Sequence, residues 1–402
     1  MTMQTPEYVR AVLARLDEGG RCAYLVGGCV RDLVMGRVPQ DWDIAVSARP
    51  EDVAKLFPRT IPTGIRHGTV TIVTEGGHVE VTSFRRDGVY TDHRQPEQVI
   101  FVEDLAQDLA RRDFTMNAMA MDQDCLITDP FGGQADIAAR LIRCVGDPGT
   151  RFEEDALRML RALRFSAQLD FTVDVDTMTA IRKKHDLAKT LSAERVRNEI
   201  AKILASPRPE VLADVLDCGL LTAYITHSAA NQTLRAKLSQ IQGETPLRWA
   251  TLTAILAEGD IITSPEVFLR ALRLDNQTVR LAGTAADLGP DLPTHPTALK
   301  HLLSRHGVEP ITLATQVAEL FGYPEPGQVL RDIFQSGDCF SLDQLALSGD
   351  DLLALGIVPG RQVGDILQTL LAHVFIHPDA NERGTLLKLA EKQVKWGMGK
   401  WR

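Results

Sequence analysis

YLVGGCVRDLVMGRVPQDWDIAV, Tyr24 to Val46, starts on an apolar run, breaks at Gly27-Gly28, and returns to an apolar run behind two carboxylates. The first run reads as a strand, "VRDLVMG" as a helix and "DWDIAV" as a second strand. Paired glycines at the strand-to-helix turn let the backbone approach a phosphate, and the N–H groups of a helix start favour anions. Gly28 is placed for that contact, and Arg31 follows in the first turn, within reach of a phosphate. The plain alternative is a tight turn that uses glycine for φ > 0. Residues i and i+2 of a strand share a face. Asp41 and Asp43 therefore point together, while Trp42 and Ile44 face the other way. Two carboxylates suit a hard cation such as Mg²⁺. Read alone, the pair fits a solvated turn or cap equally well.

The surroundings extend the pattern. "TVTIVTEGGHVEVTSF" alternates on both sides of Glu75-Gly76-Gly77 and reads as a hairpin. In it Glu80 is flanked by Val79 and Val81 on the opposite face, the position of a third acidic ligand on a neighbouring strand. "LITDPFGG" reads as a further strand and turn. From about residue 150 the character changes. "EEDALRMLRALRFSAQL", "VDTMTAIRKKHDLA", "SAERVRNEIAKILAS" and "PEVLADVLDCG" carry apolar residues at helical spacing, and strand patterns almost vanish. The fold class is α+β: an N-terminal head with a small mixed or antiparallel sheet, then an all-helical remainder. Breaks fall near "RCVGDPGT", "ASPRPE" and "LGPDLPTHPT". These give a catalytic head over 1–140, a helical neck over 141–208, a helical body over 209–295 and a helical tail over 296–402.

Composition excludes several classes. The 402 residues are 44% hydrophobic and 24% charged, the balance of a globular protein of more than one domain. No apolar run is long enough to cross a bilayer, and the N-terminus does not read as a secretory signal, so a cytoplasmic location is expected. The six cysteines show no C-x-x-C spacing and no accompanying His cluster, which argues against a zinc site or a disulfide framework. His67, His78 and His93 are isolated and read as surface or loop residues. The net charge of −9 disfavours nonspecific nucleic-acid binding but leaves room for a local basic patch. One is visible at the C-terminus, where Lys388, Lys392, Lys395, Lys400 and Arg402 face the single acid Glu391.

"LVGGCVRDLVMG" followed by "DWDIAV" resembles the active-site signature of the class II tRNA nucleotidyltransferases and poly(A) polymerases, within the polymerase-β-like superfamily. The resemblance runs on in order. "RRDFTMNAMAMD" (Arg111–Asp122) is similar to the ribose-recognition motif, and "DPFGGQADI" to a hinge-like segment. "EEDALRMLRALRF" is similar to the base-recognition motif E-D-x-x-R, and "SAERVRNEI" to the helix that buttresses it. Strong similarity covers about residues 20 to 215; "DLLALGIVPGRQVGDILQTL" is more loosely similar to the C-terminal region. The resemblance implies transfer of nucleotides from CTP and ATP to the 3′ end of tRNA without a nucleic-acid template. It implies two Mg²⁺ ions on Asp41 and Asp43, with Glu80 as third catalytic acid. Arg112, Asp155, Arg158, Arg161 and Arg164 would bind the nucleotide; Arg111 would serve phosphate or structure. The body and basic tail would lie along tRNA.

Physical chemistry supports the base-reading part. On a helix, Asp155 and Arg158 are i, i+3 neighbours whose side chains can form one planar edge. A carboxylate there accepts from the amino group of C or A, and the arginine donates to the adjacent ring acceptor. Uracil and guanine would turn a carbonyl toward Asp155, leaving two acceptors face to face at a cost of a few kcal/mol. An acid beside the arginines of "RRDFTMNA" can hydrogen-bond a 2′-hydroxyl. Arg161 and Arg164 continue the stripe, with a solvated basic face as the alternative for Arg164. Within the family, "TGIRHGTVTIV" and the acidic overall charge resemble CCA-adding enzymes rather than poly(A) polymerases. "RRDGVYTDHRQPEQVIF" resembles a loop kept by CCA- and A-adding members. "LRWATLTAIL" has Ala254 and Ile255 where other members carry a His-Asp pair, so phosphohydrolase activity is not expected. The rival readings are an A-adding partner of a separate CC-adding enzyme, a poly(A) polymerase, and an inactive RNA-binding paralogue.

Overall fold

The computed structural model describes residues 5–65, 68–88, 99–227 and 231–398. His67, His93, residues 89–98 of the family-like loop, Lys400 and Arg402 lie outside the described residues. The chain divides into two compact units, one built up to Ala223 and one from Ala236 onward, with short segments between them shared out.

The first unit is organised by a seven-stranded sheet. Its strands are β1 (Ala23–Val26), β2 (Asp43–Val46), β3 (Thr60–Gly64), β4 (Thr69–Thr74) and β5 (Gly77–Ser83), then β8 (Ala120–Met121) and β9 (Ile127–Thr128). The spatial order is β3-β4-β5-β2-β1-β8-β9. Within this sheet, among the described residues, only β2 and β5 pair in parallel, with Asp43 in register with Glu80. β6 (Arg85–Asp87) and β7 (Val99–Phe101) form a separate antiparallel pair at the two ends of the family-like loop.

The sequence patterns explain the placement. Val79 and Val81 of β5 are buried with Ile44 of β2, while His78 and Glu80 are exposed. The hairpin between β4 and β5 closes on Thr74 opposite Gly77, so Glu75 and Gly76 form the turn. Gly76 is required there, because a Cβ would stand 2.5 Å from the ring of Tyr8. Helix α1 (Glu7–Glu18) buries Val9, Val12, Leu13 and Leu16, one face at the i, i+3, i+4, i+7 spacing. Helix α2 (Gly28–Val34) follows β1 directly and buries Cys29, Val30 and Leu33. Helices α3 (Pro50–Leu56), α4 (Leu105–Ala110) and α5 (Gly133–Ala138) complete this layer.

Beyond it the unit is helical: α6 (Pro148–Glu154), α7 (Leu157–Leu169), α8 (Val175–Lys184), α9 (Ala193–Leu204) and α10 (Leu212–Asp217). Two residues each of β10 (Leu141–Ile142) and β11 (Thr172–Val173) pair in parallel within this region, which strand patterning did not reveal. The stretch "EEDALRMLRALRFSAQL" is not one helix. Asp155 has extended backbone (φ −141°, ψ 104°) and separates α6 from α7. Its Oδ1 accepts from the backbone N–H of Leu157 at 3.0 Å. An aspartate that bonds the backbone two residues on starts a helix rather than continuing one.

After the short α11 (Gln232–Leu238), the second unit is built from α12 (Thr245–Glu258), α13 (Pro265–Ala271), α14 (Asn276–Leu288), α15 (Pro296–His306), α16 (Val308–Leu320), α17 (Glu325–Ser336), α18 (Gly349–Ala354), α19 (Arg361–Ile376) and α20 (Arg383–Met398). Ala254 and Ile255 are packed in the core on α12. A separate apolar cluster includes Leu352, Leu370, Val374, Leu386 and Ala390. Among the described residues no helix is long and apolar enough to cross a membrane.

Candidate active site

One cavity of about 550 Å³ gathers most of the sequence-marked residues. Gly27, Gly28, Arg31, Asp41 and Asp43 line it from the sheet side; Asp155, Arg158, Arg161 and Arg164 line it from the helices. Arg111, Arg112, Asp113, Asn117, Phe165, Arg195 and Lys202 complete the polar wall and its one ring. Eight cationic side chains face four carboxylates. In a chain of net charge −9, that local excess marks an anion site.

The glycine turn fits its expected use. Gly27 has φ +76°, and a Cβ there would stand 3.0 Å from Arg112 Nη1 and 3.9 Å from Asp43 Oδ2. Any side chain would therefore fill the space between a cation and the acidic pair. Arg31 is fixed by Asp32 (Nη2 to Oδ1, 2.8 Å) and donates to Asn117 Oδ1 at 2.9 Å.

Asp41 precedes β2 and Asp43 begins it, and both reach the cavity. Burial pushes the Asp43 carboxyl up to about 6; the negative charges of Glu80 and Asp41 add to this, and Arg112 opposes it. Neighbouring carboxylate oxygens, one set of them buried, are the donor chemistry of a hard divalent cation. Glu80 is felt by Asp43 but is exposed and does not line the cavity. Among the described residues no group of three or more His, Cys, Asp or Glu is clustered for a metal ion. Trp42 is buried, as its place on the opposite face requires.

The "RRDFTMNA" residues are positioned by an acid the sequence reading missed. Asp108, fully buried on α4, accepts from Arg111 at 2.8 Å and from Arg112 at 3.1 Å. Its i, i+3 and i, i+4 spacing to them was the available signal. Asp113 is also fully committed. Its Oδ2 accepts from Arg161 Nε at 2.8 Å, and its Oδ1 from the backbone of Phe114 at 2.8 Å and Asn117 Nδ2 at 3.2 Å. Burial would raise this carboxyl, but Arg161 beside it, the hydrogen bonds from Arg161 and Asn117 and the charge of Arg158 carry it down to about 2. Asp113 therefore positions Arg161, and its bonds leave the 2′-hydroxyl role without support.

The base-reading residues depart from the expected geometry. Asp155 and Arg158 do not share one helix. Asp155 Oδ2 accepts from Arg195 Nη2 at 2.9 Å, a partner on α9 that the motif itself does not name. Arg158 is buried and donates to Glu154 Oε2 at 2.5 Å and to the carbonyl of Arg111 at 2.9 Å. The solvated alternative for Arg164 fails as well. This side chain is buried, ion-paired with Glu199 at 2.6 Å, and stacked 3.9 Å above the ring of Phe165. Arg31 and Arg161 lie 5.3 and 5.4 Å from the same ring centroid. Arg112 Nε and Arg195 Nη1 are buried without a hydrogen-bond partner among the described residues.

A cationic cleft ending in paired carboxylates suits the transfer of a phosphate-bearing group, and the class is nucleotidyltransferase. Residues 23–143 match the model of the poly(A) polymerase head domain, residues 170–226 that of a probable RNA- and SrmB-binding site of polymerase A, and residues 243–390 that of a putative tRNA nucleotidyltransferase domain 2. The chain belongs to the CCA-adding enzymes: one from Levilactobacillus brevis is 38% identical over 95% of this chain and 96% of its own. One from Geobacillus kaustophilus is 42% identical over 94% of each chain. The crystal structure of the Bacillus stearothermophilus CCA-adding enzyme in complex with CTP superimposes with a TM-score of 0.81 at 34% identity, covering 98% of this chain and 100% of that one. Divalent metal ions are general to nucleotidyltransferases of this family.

Proposed function

We propose that this chain adds C, C and A in turn to the 3′ end of tRNA, taking CTP and ATP into the cavity between the glycine turn and α7. The observation that carries the reading is the meeting of Gly27-Gly28, Asp41, Asp43 and Asp155 around one cationic space. Asp41 and Asp43 would hold the divalent ions, with Mg²⁺ the natural choice for carboxylate oxygens and phosphate. Glu80, on the adjacent strand, would complete the acidic set as a neighbouring charge. When bound, such ions activate the attacking hydroxyl and steady the leaving pyrophosphate.

The protein's own residues do the rest. Gly28 and Arg31 receive the phosphates. Arg112, held by Asp108, acts electrostatically on Asp43. Arg161 and Arg164 supply fixed positive charge along α7. Asp155 presents a carboxylate to the amino group of C or A, oriented by Arg195. Arg158 sits beside it, anchored to Glu154. The tRNA 3′-hydroxyl attacks the α-phosphorus and pyrophosphate departs, with no covalent enzyme intermediate. A head over 1–140, neck over 141–208, body over 209–295 and tail over 296–402 would divide this work, the tail contacting tRNA. A cytoplasmic location suits such a substrate.

Transcripts ending before CCA, after C and after CC, each offered single nucleotides, test the reading. Full CCA addition requires C on the first two and A on the third. A-only incorporation assigns the chain to the A-adding members instead, and untemplated runs of A to the poly(A) polymerases. Asp41→Ala should abolish transfer and leave tRNA affinity within about threefold, about 0.7 kcal/mol, because loss of the metal removes the chemistry and not the contacts to tRNA. Near-normal turnover in that variant rules out the metal role.

A further inference from the structure

Lys202, on α9, lines the cavity and has no part in the mechanism above. Three other cations of the cavity are already held by acids: Arg31 by Asp32, Arg161 by Asp113 and Arg164 by Glu199. Their side chains are 12, 33 and 8% exposed. Lys202 is 53% exposed, and its ion pair to Glu199 spans 4.0 Å. That carboxylate is shared with Arg164. Lys202 is therefore the least committed positive charge of the four.

A chain of contacts connects it to the glycine turn. Arg31 Nη2 lies 3.7 Å from where a Cβ on Gly28 would stand. The Arg31 guanidinium sits 5.3 Å from the Phe165 ring centroid, and that of Arg164 sits 3.9 Å from it. Arg164 bonds Glu199, three residues before Lys202. This path leads from the glycine turn to Lys202. Asp155 is instead bound to Arg195, two turns earlier on α9, which at 1.5 Å per residue is about 10 Å along the axis.

We propose that Lys202 contacts the terminal phosphates of the bound nucleoside triphosphate and the pyrophosphate that leaves. The proposal rests on the reading of this cavity as the nucleotide site. A lysine suits that duty: a compact charge on a flexible stem follows a departing group, whereas the arginines stacked at Phe165 are fixed. Its loss should be felt by ligands that carry the phosphate tail and not by the nucleoside end.

Calorimetric titration of the full chain and of Lys202→Gln with CTP, CMP and inorganic pyrophosphate tests this. CTP and pyrophosphate should each bind five- to tenfold more weakly to the variant, with CMP affinity and melting temperature unchanged. Lys202→Arg should recover most of the loss. Unchanged affinity for CTP and pyrophosphate in Lys202→Gln overturns the proposal, as does an equal loss for CMP. Failure of the unmodified chain to bind CTP overturns the nucleotide-site reading, and this proposal with it.

Discussion

Arg195 on α9 holds the carboxylate of Asp155 at 2.9 Å, across forty residues of sequence. Asp155 thus does two things at once: Oδ1 starts α7 at Leu157, and Oδ2 is aimed by Arg195. The two can be separated by mutation. Arg195→Ala should leave the helix start intact but free the carboxylate. We expect UTP misincorporation to rise and CTP turnover to fall about tenfold, equivalent to about 1.4 kcal/mol of transition-state stabilisation. Asp155→Ala should lose selectivity and also about 1 kcal/mol of stability, the usual worth of a side-chain hydrogen bond to the backbone. Single-nucleotide incorporation assays and thermal unfolding report the two effects. Wild-type discrimination in Arg195→Ala would show that the pair does not orient the base-reading acid.

Asp113 predicts a pH signature. Its carboxyl is carried from the usual value of 3.8 to about 2 in the folded chain. A depressed carboxyl stabilises the fold above its unfolded pKa, and that contribution is lost as pH falls from about 4 through about 2. Asp113→Asn also leaves the Arg161 charge without its partner, so it should destabilise the first unit by about 3 kcal/mol at pH 7. The difference from the parent should shrink as pH drops from 4 to 2. Urea unfolding at pH 7, 4 and 2.5 measures it. A difference constant across that range removes the ion-pair explanation.

Much of this was legible in the chain because it is local. Alternation gave the hairpin of β4 and β5, Gly27-Gly28 gave the strand-to-helix turn, and the apolar spacing gave most of the helices. The site residues of the family motifs also reached one cavity, Glu80 excepted. The partners were less legible, because they are distant. Asp113 and Arg161 are 48 residues apart, and Asp155 and Arg195 are 40 apart. No periodic pattern joins such positions; only the tertiary fold does, by setting α7 against the segment after α4 and α9 against Asp155, just ahead of α7. The break at Asp155 was missed for a different reason. The apolar spacing of "EEDALRMLRALRF" continues through it, and the side-chain bond to Leu157 that interrupts the helix leaves no trace in hydrophobicity.

Gly76 tests the turn. A methyl group there would meet the Tyr8 ring at 2.5 Å. Overpacking of this kind costs about 1–3 kcal/mol, so Gly76→Ala should lower the melting temperature of the first unit. Tyr8→Ala in the same chain should relieve the clash, making the double variant more stable than the sum of the two single changes. Strictly additive losses would mean that the ring moves aside freely.

The second unit has its own buried charge. Lys300, 2% exposed on α15, is ion-paired with Asp338 and donates to the carbonyl of Phe375 at 3.3 Å. Hydrogen bonding and the positive charge of Lys300 hold the Asp338 carboxyl below its ordinary value, against the effect of burial. Removing one partner of such a pair leaves a poorly solvated charge and typically costs about 3–5 kcal/mol. Lys300→Met should therefore lower protection from hydrogen exchange in α15 and α19. Lys300→Met with Asp338→Asn should regain most of that protection, because both charges are then gone. Neither change should alter CTP affinity, which depends on the first unit. If the single and double variants exchange alike, the ion pair contributes nothing and the lysine is held by its packing alone.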